Sequence, residues 1–214
     1  MTRSADPPDL PTGYAELCVT SNFTFLTGAS HPEELVLRAT ELGLSAIAIT
    51  DRNTLAGVVR AWSALKTLRE DAQEALRVRS SHQTDSCSRQ EVGQPQDLAV
   101  PAAELLPRLI TGARLALMDD PVEWVALPTD RAAYERLSRL LTLGKRRAEK
   151  GRCELTLADL ETHAKGMILI ALPTRDLARA ARPLQRLQRR FPGSVFLGAT
   201  PRYDGSDQAW FDAC

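Results

Sequence analysis

"AELCVTSNFTFLTGASHPEEL", residues 15–35, decides how the rest of this sequence is read. Its apolar opening belongs to "YAELCV" at 14–19, a run of strand length. A polar turn follows, and then the signals of a helix start. Ser30 is a candidate N-cap, Glu33 stands three residues on at the capping-box spacing, and Pro32 sits in the first turn, where its missing N–H is tolerated. Leu35, Ala39 and Leu42 share one face, and Gly43 closes the helix. "SAIAIT" at 45–50 is almost wholly apolar, as a buried parallel strand should be.

The same alternation continues outward. Asn53 or Thr54 can cap a helix with Leu55, Val58, Val59, Trp62 and Leu65 inward, and "GARLAL" (112–117) and "WVAL" (124–127) are the next strands. Asp130 caps "RAAYERLSRLLTLG", whose inner residues are Tyr134, Leu137 and Leu141, and Thr156 with Asp159 opens a short helix. "MILIAL" (167–172) is a strand. "RDLARAARPLQRLQRR" is helical in period, with Pro183 expected to kink it or to start a second helix, and "SVFLGA" (194–199) is the last strand. Strand–helix alternation at this length predicts a parallel α/β sheet or barrel.

Two segments stand outside the pattern. Residues 1–13, "MTRSADPPDLPTG", form a polar, proline-rich tail without the apolar core of a signal peptide. Residues 69–105 lose the strand signal and fill with Ser, Gln, Asp and Pro, which predicts a mobile, disordered insertion with one short helix at each end. The 214 residues carry 27 basic and 27 acidic side chains, so no overall charge draws the chain to nucleic acid or membranes. Any such preference must be local. Four cysteines, Cys18, Cys87, Cys153 and Cys214, lie far apart in no framework spacing, which suits reduced thiols in the cytoplasm, and no run approaches membrane-spanning length.

The block "TSNFTFLTGASHPEELVLRATELGLSAIAITDRNTLAGVVRAW", residues 20–62, resembles the N-terminal PHP (polymerase and histidinol phosphatase) domain of bacterial C-family DNA polymerases, the family of the polymerase III alpha subunit. Within it, the block looks most like the error-prone branch. "LPTDRAAYERLSRLLTLGKRRAEKG" and "LTLADLETHAKGMILIAL" continue the likeness. The resemblance implies a distorted (β/α)7 barrel over residues 14–214, with ligands at the carboxyl ends of its strands. A late strand and its ligand motif are missing, so the barrel is expected to be incomplete at its C-terminus, truncated before the polymerase domains, with Trp210 and Phe211 exposed or loosely packed.

Metal-bearing members end their first strand in His-x-His and their second in Asp-His, and a third strand supplies an acid after Gly. Such donors hold divalent metals that activate water for phosphoester hydrolysis. The matching positions here are Cys18-Val19-Thr20, Asp51-Arg52 and Gly112-Ala113-Arg114. Guanidinium groups stay protonated and cannot coordinate a metal. The three histidines fall elsewhere: His31 in a capping turn, His82 in the insertion, His163 in a short helix. The expectation is a vestigial metal site at Cys18, Thr20, Asp51, Arg52 and Arg114, without metal or catalytic residue, where Arg52 and Arg114 pair with Asp51. Asp51 is read as an ion-pair or capping partner, Cys18 as a small buried residue, and Trp62 as a core aromatic. The turn is read as fixed by Phe23 and Phe25 packing, with Gly28 giving it freedom.

Local charge is uneven. Lys145, Arg146, Arg147, Lys150 and Arg152, preceded by Arg136 and Arg139, face the single acid Glu149, a density that can engage nucleic acid or an acidic partner. No aromatic interleaves with them in sequence, which argues against stacking on single strands. The row Arg179, Arg182, Arg186, Arg189 and Arg190 is explained by amphipathic packing of its helix.

Three functions follow: a metal-free scaffold at the start of an error-prone polymerase in damage-induced translesion synthesis; a metal-dependent phosphoesterase or 3'-5' exonuclease; or a stand-alone binding barrel. The resemblance places nucleotidyl transfer, with its magnesium, in palm motifs absent from these residues. It also implies the remaining polymerase domains, DNA, a sliding clamp and accessory mutagenesis proteins as partners.

Overall fold

The computed structural model describes residues 13–83, 106–173, 177–201 and 203–213, with side chains of 79–83 left aside. The first strand, β1 (Ala15–Val19), leads to helix α1 (Pro32–Glu41), then β2 (Ala46–Ile49) and the long helix α2 (Ala56–Gln83). Strands β3 (Arg108–Thr111), β4 (Ala113–Ala116) and β5 (Glu123–Pro128) precede α3 (Arg131–Arg147) and α4 (Leu157–His163). The chain continues through β6 (Met167–Leu172), α5 (Leu177–Arg190), β7 (Val195–Leu197) and α6 (Asp207–Ala213).

The strands make two sheets in the order β1-β2-β3 and β4-β5-β6-β7. They are joined at one place. Gly112 separates β3 from β4, and beyond it the chain still runs beside β2: Arg114 N–H donates to Asp51 O at 3.1 Å, and Asn53 N–H to Arg114 O at 2.8 Å. β3 and β4 are thus one bent strand, closely packed at its glycine. A Cβ on Gly112 would lie 2.5 Å from Leu127 Cδ2. Among the described residues no ladder joins β7 back to β1, so the barrel is open.

Two expectations of topology change here. The ladders β1–β2, β2–β3 and β6–β7 are parallel, but β4–β5 and β5–β6 are antiparallel, so the sheet is mixed. Only a short connection separates β4 from β5, too short for the helical crossover a parallel pair requires. Strand "RLIT" (β3) was not anticipated, because it stands beside the insertion and is only four residues long.

Three apolar clusters hold the fold. Val36, Ala39, Ile47, Ile49, Ala61 and Leu65 seal α1 and α2 against the first sheet. Ala48, Val125 and Leu127 meet Cys18, Ile110 and Ile170 inside the barrel. The largest cluster seats α3, α4 and α5 on the second sheet around fully buried Trp124, Leu137 and Leu169. Trp124 also donates its Nε1 hydrogen to Asp120 Oδ2 at 3.0 Å, which satisfies its one polar atom.

Local corrections follow from these contacts. The N-cap of α1 is His31 rather than Ser30, and its backbone N–H is accepted by Glu34 at 2.8 Å rather than by Glu33. Glu33 is engaged with Arg60 of α2 instead, at 2.7 Å. Helix α2 continues to Gln83, so the helix expected at the start of the insertion, His82 included, is the end of α2 rather than a separate short one. The remainder of that expected insertion lies outside the described residues, as do residues 1–12 of the tail. Val59 and Trp62 face outward at 67% and 54% exposure, and Tyr134 is also exposed; small Ala61 and Ala133 take the inner positions. Trp62 is therefore no core residue, and Lys66 Nζ lies 5.9 Å from its ring centroid. Helix α5 runs unbroken through Pro183. No residue of α6 is buried, and Phe211 is exposed.

Candidate functional site

The parallel strands β1, β2 and β4 end on one rim of the barrel, and antiparallel β5 begins there, so Cys18, Thr20, Asp51, Arg52, Arg114 and Glu123 collect at that rim. Asp51 is 1% exposed. Its Oδ1 accepts the backbone N–H of Ser21 and the Thr24 hydroxyl, both at 2.8 Å, and its Oδ2 accepts the Ser21 hydroxyl at 2.7 Å. Thr24 Oγ1 in turn accepts Arg52 N–H at 2.9 Å. The first turn of α2 closes over the carboxylate, because a Cβ on Gly57 would come within 2.5 Å of Asp51 Oδ2. Asp51 is thus a clamp between the β1–α1 turn and α2.

That clamp, not aromatic packing, fixes the turn. Phe25 and Leu26 are 85% and 90% exposed, whereas Ser21 and Thr24 are buried. Gly28 does not have a left-handed backbone; it is needed because a Cβ there would meet Ser21 O at 2.0 Å. Leu26 itself is left-handed, with φ of 64°, a conformation costly for its side chain.

The arginines do not turn to Asp51. Arg52 Nε donates to Glu123 Oε1 at 3.1 Å, and Arg114 Nε lies 3.4 Å from Glu123 Oε2. The expected pairing is corrected: Asp51 points inward to the β1–α1 turn, and Glu123, a residue not singled out from sequence, takes both guanidinium groups. Asn53, rather than capping α2, turns its Oδ1 to Ala116 N–H at 3.0 Å, with φ of 53°; Thr54 Oγ1 accepts Ala56 N–H at the helix start. Burial pushes the Cys18 thiol up, against the pull of Arg114. Thr20 is half-buried at the end of β1.

This donor set does not suit a divalent cation. Two of the six side chains are guanidiniums, both oxygens of Asp51 are engaged by the β1–α1 turn, and Glu123 is neutralised by both arginines. Among the described residues no three His, Cys, Asp or Glu side chains gather as a metal-binding group. Ser21 and Thr24 escaped notice in the sequence; hydroxyls three residues apart after a strand are a turn signal that could have found them.

The basic run divides between two faces. Helix α3 extends to Arg147, so Lys145, Arg146 and Arg147 occupy its last turn, where cations complement the helix dipole. Arg147 forks onto Asp159 at 2.7 and 3.2 Å, holding that carboxyl down at about 2. Arg146 and Arg147 line a recess with His163, whereas Lys145, Lys150 and Arg152 line a cleft with Arg52, Phe23 and Phe25.

Comparison with known proteins agrees with this architecture. An error-prone DNA polymerase of Ruegeria pomeroyi is 72% identical over 94% of this chain, which spans 18% of that relative's length. One from Rhodopseudomonas palustris is 45% identical over 91% of the chain and 15% of its own length. The structure of a proposed metal-dependent phosphoesterase from Bifidobacterium adolescentis superposes with a TM-score of 0.54 at 13% identity, covering 94% of this chain and 83% of that one, a likeness of fold. A sequence profile described as "PHP domain" matches residues 16–191, most of the 214, and the chain belongs to the PHP domain family.

Proposed function

We propose that this chain is a PHP scaffold module of an error-prone DNA polymerase, without a working metal site of its own. The observation that carries the reading is Asp51: the one carboxylate left at a family ligand position spends both oxygens on Ser21 and Thr24. The identities to error-prone DNA polymerases support the parent's nature. In this reading nucleotidyl transfer, with its magnesium, belongs to other domains of the parent, which acts in the cytoplasm in damage-induced translesion synthesis with a sliding clamp and accessory mutagenesis proteins. No described helix is long and apolar enough to cross a membrane. The barrel contributes a rigid body on which the other domains are held, and the arginine pair supplies the positive charge a metal would otherwise bring.

The test is hydrolysis of bis(p-nitrophenyl) phosphate and of a 3'-labelled oligonucleotide, with Mn²⁺, Zn²⁺ or EDTA. The expected result is background turnover in every condition. Chelator-sensitive turnover that disappears in Asp51→Ala would establish the phosphoesterase reading instead.

A further inference from the structure

A cleft of about 910 Å³ opens beside the rim, between the β1–α1 turn and the segment linking α3 to α4. Phe23 and Phe25 come from the first of these, Lys150 and Arg152 from the second, Lys145 from the last turn of α3 before it, and Arg52 from the strand end between them. In sequence Lys145, Lys150 and Arg152 are more than a hundred residues from the aromatics. The fold interleaves them.

Three observations give the cleft a ligand. Arg139 and Arg147 of the same basic run are tied to Glu135 and Asp159, but among the described residues Lys145, Lys150 and Arg152 have no side-chain ion pair. All three are exposed. Four cations face two carboxylates, Glu149 and Glu154, so the lining is net positive. Phe25 is 85% exposed, yet it stands on a held turn: Thr24 is bonded to Asp51, Gly28 N–H donates to Thr24 O at 3.0 Å, and Asn22 N–H to Ser30 O at 2.9 Å. An aromatic presented without freedom loses little entropy on contact.

We propose that this cleft binds single-stranded DNA, with bases stacked on Phe25 and Phe23 and phosphates on Lys145, Lys150 and Arg152. Flat apolar faces beside unpaired cations match the two surfaces of an unpaired nucleotide chain, and duplex DNA hides the base faces. The inference extends the scaffold reading by giving DNA contact a place and a strand form. Because it uses no metal, it is measured in EDTA, where its failure is separate from failure of the metal-free reading.

The experiment is fluorescence anisotropy of a fluorescein-labelled dT12 strand titrated with the 214-residue chain in EDTA over a series of salt concentrations. Saturable binding stronger than to a 12-base-pair duplex is expected. Phe25→Ala should weaken it by about fivefold to a hundredfold, the range of one lost base stack. Lys150→Ala should lower the slope of log affinity against log salt by about 0.7, one phosphate on a single strand. Glu149→Gln should tighten binding, a gain that misfolding cannot mimic. The proposal is overturned by absence of binding, by a duplex preference, by a Phe25→Ala affinity equal to the parent's, or by Arg146→Ala on the far face weakening binding as much as Lys150→Ala.

Discussion

Asp51 and Glu123 are carboxylates on one rim, at the end of β2 and the start of β5 with β4 between them, and they have opposite circumstances. Asp51 is buried and bonded to neutral hydroxyls and an amide of the β1–α1 turn; Glu123 keeps 35% of its side chain exposed between Arg52 and Arg114. A buried acceptor that loses its partners, or leaves them behind, costs the full desolvation penalty. A charge that water still reaches is screened and replaceable. The first carboxylate therefore holds the fold, and the second only sets local charge.

The comparison can be broken most directly at Asp51. Asp51→Ala orphans a buried backbone N–H and two hydroxyls, and should cost about 3 kcal/mol, read as a lower urea midpoint. A loss comparable with that of an exposed substitution would remove the clamp from the account. Gly28→Ala attacks the same turn from its far side, where a Cβ would meet Ser21 O at 2.0 Å. It should cost about 1–3 kcal/mol through forced backbone movement, in the same unfolding assay.

Glu123→Gln should cost about 1–2 kcal/mol, because Arg114, only 15% exposed, loses its carboxylate while Arg52 stays hydrated at 54% exposure, and the Arg52 part should matter less at high salt. If it destabilises as strongly as Asp51→Ala, the two carboxylates do not differ as argued. The ion pair of Arg147 with Asp159 sharpens the point through pH. Its carboxyl is lowered from 3.8 to about 2, mainly by the Arg147 hydrogen bond, so its contribution is present above the ordinary value and is lost as pH falls through about 2. In Arg147→Ala the Asp159 carboxyl resonance should titrate close to the ordinary value. The smallest effect is expected at Cys18, whose thiol burial pushes up; peptide mapping after alkylation at pH 8 should show it labelled more slowly than a free cysteine.

The sequence made most elements legible wherever apolar periodicity was strong: "MILIAL" is β6 to the residue, and Asp130 and Thr156 cap α3 and α4 as their side chains allow. It failed where tertiary contacts choose among local equals. Ser30 and His31 could both start α1, and the choice fell to the residue whose partner, Glu34, was not already engaged with another helix. Trp62 and Phe25 look like core by composition, but Ala61 and Thr24 occupy the inner positions because the space there is small. At the rim, Cys18, Asp51, Arg52 and Arg114 were legible as positions, and Glu123 was not, since one acid before "WVAL" carries no periodic signal. Pairing depends on which strand is antiparallel, and that is set by a short connection rather than by any motif.

The central claim is that this rim holds its charges without a metal. The measurement that tests it most directly is a Mn²⁺ titration of the purified chain followed by electron paramagnetic resonance of the free ion. The account predicts no saturable binding and the same free-ion signal for the parent and Asp51→Ala. A stoichiometric Mn²⁺ site in the parent that is lost in Asp51→Ala would contradict it.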